Sequence, residues 1–230
     1  MHLPMSYPAM LPPRRSGLRH DLISQILHAI FRGELRAGHR LVVQKIAEQY
    51  GVSATPAREA LLELTSLGMV DMLPNRGAVV RPFGRVQLAE IYQTRRILET
   101  EATRCASHNV DEKEFRDLES ELRELRSSDP GPRFTAAAAD IDRRLHELIA
   151  VACGNLRLAD EIRRYSTLVQ AARDLVHAQH PAQMETVAQH LQIVEALLAR
   201  DEQAAAQAMS QHIQRSEQLA ARALFSQRES

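Results

Sequence analysis

The amino-acid sequence predicts a mainly α protein, with an N-terminal winged helix-turn-helix followed by a C-terminal all-α helical bundle. In residues 16–82, three segments with apolar side chains at helical spacing precede two short strands that flank a turn. After residue 88, clusters of Gly, Pro, Asn and Asp divide the chain into six helical segments. At 230 residues the chain is long enough for two modest domains, each with its own hydrophobic core.

The first three elements are helices. Apolar positions recur every three or four residues from Leu18 onward, and Gly33 marks the end of this helix. A second helix is predicted over residues 43–50. The third is predicted to begin at Thr55-Pro56, where the hydroxyl caps the helix and proline takes its first position, and Gly68 ends it.

The next two elements are strands over residues 69–73 and 78–80, joined by a turn over residues 74–77. The prolines at the start of the chain, without periodic apolar residues, indicate disorder. We therefore expect four parts: a disordered tail over residues 1–15, a winged helix-turn-helix DNA-binding domain over 16–82, a linker over 83–87 and an all-helical domain over 88–225.

The formal net charge is zero, but the two parts of the chain differ in sign. Residues 1–84 carry 10 Lys and Arg against 6 Asp and Glu, whereas the remainder carries 19 against 23. The positive balance weakly favours nucleic-acid binding by the N-terminal part. Two distant cysteines, no secretory signal pattern and no apolar run long enough to span a membrane favour a cytoplasmic setting without a membrane partner.

An aspartate and three histidines in the C-terminal part form a candidate metal-binding set. Asp142 and His146 are four residues apart, so they lie on one face of a helix, and His190 and His212 follow on two later helices. One carboxylate and three imidazoles suit a divalent transition metal, with Zn²⁺ or Ni²⁺ the best matches. A single histidine is more often a surface or core side chain than a ligand, so the prediction depends on the whole set.

In the N-terminal domain, the third helix and the turn between the strands carry the residues expected to contact DNA. Thr55-Pro56 directs the start of that helix outward, where its unpaired N–H groups can meet phosphate. Arg58, one turn further, can reach a guanine edge in the major groove. At the turn, Asn75 and Arg76 can approach the minor groove or its phosphates, and Gly77 permits close passage. The alternatives are a solvated charge for Arg58 and a plain turn residue for Arg76.

Three stretches of this domain resemble the GntR family of bacterial transcription regulators: GHRL over residues 38–41, IAEQYGVSATPAREAL over 46–61 and PNRGA over 74–78. The resemblance covers the whole winged helix. It implies that the chain binds double-stranded operator DNA as a homodimer, because such readers grip two half-sites of a palindrome. It also implies that Ser53 belongs to the DNA-binding surface.

One position departs from the pattern of this family. The family usually has arginine between Ser53 and Thr55, where this chain has Ala54. A phosphate or base contact is therefore missing, which leaves the operator preference open, although DNA binding is still expected. The nearest substitutes for the missing arginine are Arg40, Gln44 and Lys45.

The C-terminal part resembles the FCD effector domain of FadR-type GntR regulators, and the shorter, six-helix VanR-like variety is the closer fit. Four stretches carry the resemblance: YQTRRILE over residues 92–99, DRRLHELIAVACGN over 142–155, HLQIVEA over 190–196 and RDEQAAAQAMSQH over 200–212. The resemblance implies that all four metal-binding positions of the family are filled, with the family's spacing. Leu145 replaces the usual phenylalanine, a mild change in the wall of the pocket.

This second resemblance implies a site for an effector. Arg95 is similar to the arginine that faces the pocket of the family, where a guanidinium would clamp the carboxylate of a small organic acid. The alternative for Arg95 is an ion pair with Glu99.

The whole chain is thus expected to be a ligand-responsive transcriptional regulator and not an enzyme. We expect a repressor that is released from its operator by an organic acid bound near the metal. Two other readings stay open: a metal-dependent hydrolase, because a metal with a free position can activate water, and a DNA-binding protein whose metal is purely structural.

Overall fold

The structure is a computed structural model that describes residues 18–74, 76–129, 131–176 and 180–225. The expected tail over residues 1–15 lies outside these ranges. Contacts divide the chain into two compact units, one formed by residues 18–86 and 167–172 and the other by residues 87–166 and 173–225.

Helices dominate the described residues, which confirms the predicted mainly α class. In chain order the elements are α1 (Leu18–Arg32), β1 (Arg40–Leu41), α2 (Val43–Tyr50), α3 (Ala54–Ser66), β2 (Val70–Leu73), β3 (Gly77–Val80), α4 (Arg85–Ala106), α5 (Glu112–Arg126), α6 (Pro132–Ala152), α7 (Leu156–Val176), α8 (His180–Leu198) and α9 (Glu202–Phe225).

The first unit has the predicted winged helix-turn-helix. Helices α1 and α2 pack on α3, and α3 packs on strands β2 and β3. The sheet is antiparallel with the order β1-β3-β2, so a further strand pairs with the predicted hairpin. In this additional strand, Arg40 pairs with Val79 of β3. The sequence analysis missed β1 because two residues are too few to show the alternation that identifies a strand.

Helix α3 begins two residues earlier than predicted, so the assignment of Thr55 as its cap was wrong. Ser53 is the N-cap in extended conformation, without a side-chain capping bond, and Ala54 is the first helical residue. Pro56 therefore lies at the third helical position. Proline is accepted there because the N–H groups of the first turn have no partner within the helix in any case.

Gly77 is required by the packing of the sheet. Its φ of +83° lies in the left-handed region, and a Cβ at this position would come within 2.1 Å of the Leu41 carbonyl oxygen. Gly77 was predicted from the sequence to permit a close approach to DNA. In the structure, glycine is needed there because the backbone of Leu41 already fills the space that a side chain would take.

The second unit contains helices α4, α5, α6, α8 and α9 and most of α7. Helix α8 packs on α5, α6 and α9 and so joins three other helices of this unit. Helix α4 begins at Arg85, inside the segment 83–87 that was expected to be a linker. The predicted division of this part of the chain into six helices agrees with α4 to α9 of the described residues. Between α4 and α5, the Asp111 carboxylate caps α5 by accepting hydrogen bonds from two backbone N–H groups. No helix in the described ranges has the length and apolarity needed to cross a membrane.

Substituting Gly77 by alanine should destabilise the first unit by about 3 kcal/mol or more, because the new Cβ must displace backbone. Gly51→Ala is the matched control, since Gly51 also has a positive φ, +63°, but has open space around its Cβ position. The control should lose only about 1–2 kcal/mol from left-handed strain. Urea denaturation of the two variants measures the difference, and equal losses would contradict the packing argument.

Candidate metal centre and DNA-binding surface

The four predicted metal ligands converge in the second unit. Helix α6 supplies Asp142 and His146, α8 supplies His190 and α9 supplies His212, and one donor atom from each lies within 4.8 Å of all the others. Asp142, His190 and His212 are at most 3 % exposed. The helical repeat brings the first pair together, and packing of α6, α8 and α9 adds the other two.

The distances between donor atoms fit a metal ion. Asp142 Oδ1 lies 3.2 Å from His190 Nε2 and 3.7 Å from His146 Nε2, and the Nε2 atoms of His190 and His212 are 3.4 Å apart. Ligands bound tetrahedrally at zinc distances are separated by about 3.3 Å. Asp142 Oδ1 is also buried without a well-directed hydrogen bond, and such an atom is costly unless it meets a proton or a cation. The residues present therefore fit a divalent cation.

Polar contacts on the outer side of the site orient two of the imidazoles. The Glu99 carboxylate contacts His146 Nδ1, and Gln189 Oε1 lies 3.1 Å from His212 Nδ1. An acceptor beside Nδ1 holds the proton on that nitrogen and leaves the lone pair of Nε2 directed at the site. Neither Glu99 nor Gln189 was predicted in this role.

Arg95 lies in a buried ion pair with Glu99. Its Nε donates a hydrogen bond of 2.8 Å to the carboxylate, and both side chains are 4–5 % exposed. This is the alternative that the sequence analysis kept open beside an effector clamp. Arg95 Nη1 is buried and has no hydrogen-bond partner among the described residues, so Glu99 satisfies the guanidinium only in part.

Arg173 of α7 is a component of the site that the sequence analysis missed. Its Nη1 donates a hydrogen bond to Asp142 Oδ2, and its Nη2 lies 3.3 Å from His146 Nε2. No motif distinguishes Arg173 from Arg163 and Arg164 on the same helix, which form exposed ion pairs. Only the packing of the helices places one of these three arginines at the candidate metal ligands.

Burial and neighbouring charges set the protonation of the site. Burial alone would raise the pKa of Asp142, but the Arg173 guanidinium and the close approach of His190 hold it well below its ordinary value. Burial also favours a raised pKa for Glu99, but Arg95 and His146 outweigh it and lower the pKa to about 2. Burial lowers the pKa of His190 and, with the neighbouring imidazoles, lowers that of His212 further. The site thus combines the ionised carboxylates of Asp142 and Glu99 with the neutral imidazoles of His190 and His212.

A small cavity adjoins the ligands. Its volume is about 30 Å³, which is room for about two water molecules. Polar and apolar side chains share its wall: Tyr92, Ala138, Asp142, Arg173, Gln183, Thr186, Val187, His190, Ser216 and Leu219.

In the first unit, the start of α3 presents the predicted DNA-binding face. The exposed residues include both sides of the helix-turn-helix turn: Gln44, Lys45, Ser53, Thr55 and Arg58. Arg76 at the tip of the wing is also exposed, and its carbonyl oxygen accepts a 3.0 Å hydrogen bond from Arg40 Nε. Arg40 therefore braces the wing. Asn75 lies outside the described residues.

Comparison with known proteins identifies both parts of the chain. Residues 18–80 match the family described as "Bacterial regulatory proteins, gntR family", and residues 90–215 match the FCD domain. The second match alone covers more than half of the chain. The chain belongs to the GntR family of transcription regulators, with an FCD domain. It is therefore a DNA-binding regulator and not a metal-dependent hydrolase, and the resemblance inferred from the sequence is confirmed.

Relatives of this GntR-family protein are regulators as well. It is 34 % identical over 105 residues to the HTH-type transcriptional regulator McbR of Escherichia coli, a match that covers 46 % of this chain and 48 % of McbR. It is 25 % identical over 199 residues to the HTH-type transcriptional repressor RspR of Escherichia coli, covering 84 % and 86 %. The solved structure of E. coli McbR/YncC superposes with a TM-score of 0.65 at 25 % identity, covering 93 % of this chain and 99 % of that protein.

The Glu99→Gln variant of this GntR-family protein should be less stable than the wild type near pH 7, by on the order of 3 kcal/mol in the metal-free state. The folded-state pKa of Glu99, about 2, lies below its ordinary value of 4.5. Its contribution is therefore present above pH 4.5 and is lost as the pH falls toward 2. Urea denaturation with a chelator at pH 7, 5 and 3.5 should show the difference between the two proteins narrowing in acid.

Glu101→Gln provides the control on the same helix, because Glu101 is exposed and pairs with Arg104 at the surface. This control should change stability little at any of the three pH values. A loss for Glu99→Gln that does not vary with pH would contradict the assigned protonation of Glu99.

Proposed function

We propose that this chain is a homodimeric, ligand-responsive repressor that leaves its operator when a small organic acid binds beside a divalent metal in the FCD domain. The observation that carries the proposal is the convergence of one ionised carboxylate and three imidazoles beside a cavity lined by a guanidinium. A ligand can change DNA affinity only if it binds one conformation of the regulator better than another. A buried charged site between helices is suited to such discrimination.

Asp142, His146, His190 and His212 would hold the metal. One carboxylate and three imidazoles suit Zn²⁺ or Ni²⁺. The ionised aspartate and the lowered pKa values of His190 and His212 supply these three ligands in the protonation states that cation binding requires. When bound, the ion would supply a Lewis acid for a carboxylate oxygen.

Arg173 is better placed than Arg95 to contact the effector carboxylate. Arg173 lines the cavity, whereas Arg95 is held by its ion pair with Glu99. The hydroxyl and amide groups of Tyr92, Gln183, Thr186 and Ser216 also line the cavity and can bind polar groups of the acid. Since the cavity holds only about two waters, an organic acid must enlarge it, which couples binding to movement of the helices around it.

A purely structural metal is the second candidate. The ligands belong to α6, α8 and α9, so an ion would cross-link three helices. The small volume of the adjoining cavity favours this alternative.

Repression and dimerisation rest on separate arguments. The relative RspR is named a repressor, and the same sign of regulation is proposed for this chain. A winged helix-turn-helix that reads a palindrome needs two copies related by a two-fold axis. Operator DNA is then contacted by the exposed side chains at the start of α3 and on the wing.

Replacing Arg58 by alanine should weaken specific operator binding by about 1–3 kcal/mol without unfolding the protein, because the side chain is exposed at the start of α3. The measurement is DNA binding to an operator selected from random DNA by the wild type, beside an unrelated duplex. Arg164→Ala, which removes an exposed arginine of the FCD domain, should bind both DNAs normally. Equal losses on both duplexes would instead assign Arg58 to phosphate contact.

Replacing His190 by alanine should lower the metal content below that of the wild type, which we expect to hold one ion per chain. The melting temperature should fall as well, because the helices lose a cross-link. The operator affinity without acid should change less, since the DNA-binding residues lie in the first unit. Elemental analysis, thermal melting and DNA binding, on protein purified without a histidine tag, measure these effects. His108→Ala is the control, because His108 is exposed and pairs with Glu202.

The same two variants test the effector. A panel of small carboxylates is added to the wild type bound to its selected operator. An acid that releases the operator from the wild type should release it far less from His190→Ala. If the same acid concentration releases the operator from the wild type and from His190→Ala, the metal has a purely structural role. Absence of metal from the wild type, even after addition of Zn²⁺ or Ni²⁺, would overturn the metal centre.

A further inference from the structure

The guanidinium of Arg173 contacts two of the residues that the proposed metal needs. It donates a hydrogen bond to Asp142 through Nη1, and its Nη2 lies 3.3 Å from Nε2 of His146. The Arg173 side chain is only 14 % exposed. Two of the four metal ligands are therefore already engaged by a positive charge of the chain itself.

This engagement excludes simultaneous metal binding by His146. The Glu99 carboxylate beside Nδ1 holds the proton there, so Nε2 offers a single lone pair. That lone pair either accepts a hydrogen from Arg173 or binds a cation. For the lone pair to be given to an ion, the Arg173 guanidinium must withdraw.

The balance of buried charge also indicates that the Arg173 guanidinium must withdraw when an ion binds. The carboxylates of Asp142 and Glu99 are matched in number by the guanidinium groups of Arg95 and Arg173, so the charges of these four groups balance without a metal. Adding a divalent ion leaves two uncompensated positive charges in a largely buried place, which is strongly unfavourable. Of the two arginines, Arg95 is fixed by Glu99, whereas Arg173 lines the cavity and can leave.

We infer that Arg173 is an intramolecular competitor of the metal: its guanidinium contacts Asp142 and His146 in the metal-free protein, weakens metal binding and is displaced from His146 by the ion. This inference rests on the proposed metal site and adds its regulation. The displaced guanidinium and the excess positive charge then favour an anion in the cavity, so metal and anion bind with positive linkage.

The test is the affinity for Zn²⁺ alone, measured by competition with a chromogenic chelator at pH 7. Arg173→Gln should bind zinc roughly tenfold more tightly than the wild type, because a competing charge-assisted contact is removed. Arg173→Lys should also bind more tightly, at least about threefold, because an ammonium keeps the charge but cannot bridge both atoms. Arg164→Gln, on the same helix but exposed and paired with Glu161, should bind as the wild type does.

Thermal melting of each metal-free variant establishes that it is folded. If Arg173→Gln does not fold, Arg173→Lys and a crystal structure of the zinc-loaded wild type decide the question. In that structure the guanidinium should have left His146, and a guanidinium still bonded to Nε2 beside the ion would overturn the inference.

The outcomes separate this inference from the proposed function. Zinc binding of equal strength in the wild type, Arg173→Gln and Arg173→Lys would overturn competition by Arg173 and leave the metal site standing. No zinc binding by any variant would overturn the metal site and the competition with it. Tight binding by Arg173→Gln where the wild type binds weakly would support both.

Discussion

The FCD domain must keep two carboxylates, Glu99 and Asp142, ionised in its interior. An unpaired buried carboxylate is costly, and removing one partner of a buried pair is more damaging than omitting the whole pair. Arg95 compensates Glu99 and Arg173 compensates Asp142, and His146 lies between the two carboxylates. These contacts join α4, α6 and α7, so the arrangement of three helices depends on the same charges that define the site.

This compensation also prepares the site for a cation. Because Glu99 and Gln189 contact the Nδ1 atoms of His146 and His212, the Nε2 lone pairs are directed inward without a metal to orient them. Burial keeps His190 and His212 neutral at physiological pH, as shown by their lowered pKa values. Asp142, His190 and His212 therefore need lose no protons before an ion binds. Withdrawal of Arg173 from His146 is the main rearrangement that we propose between the metal-free site and one able to bind an ion.

The sequence predicted those parts of the molecule that depend on local periodicity. The four-residue spacing of Asp142 and His146 fixes their common face, and turn residues placed the ends of the helices correctly to within a few positions. Contacts that depend on how helices pack could not be predicted. Arg173 carries no local mark that separates it from Arg164, and β1 is recognisable only through its pairing with β3. Gly77 was recognised from the sequence as a position that needs glycine. The reason, the Leu41 carbonyl oxygen on the adjacent strand β1, appears only once the strands are paired.

Ala54 stands where the family usually has arginine, and the contacts of the nearby polar residues limit which of them can replace it. Arg40 was one of three candidate substitutes. However, its Nε donates a hydrogen bond to the carbonyl oxygen of Arg76 at the tip of the wing. An arginine that braces the wing is constrained in where its charge can lie. Gln44 and Lys45 are exposed at the start of α2, and of these two only Lys45 carries a charge for phosphate. Lys45 can therefore replace a phosphate contact, but an ammonium lacks the planar fork with which arginine reads a guanine. We therefore propose that base readout by this helix-turn-helix depends chiefly on Arg58.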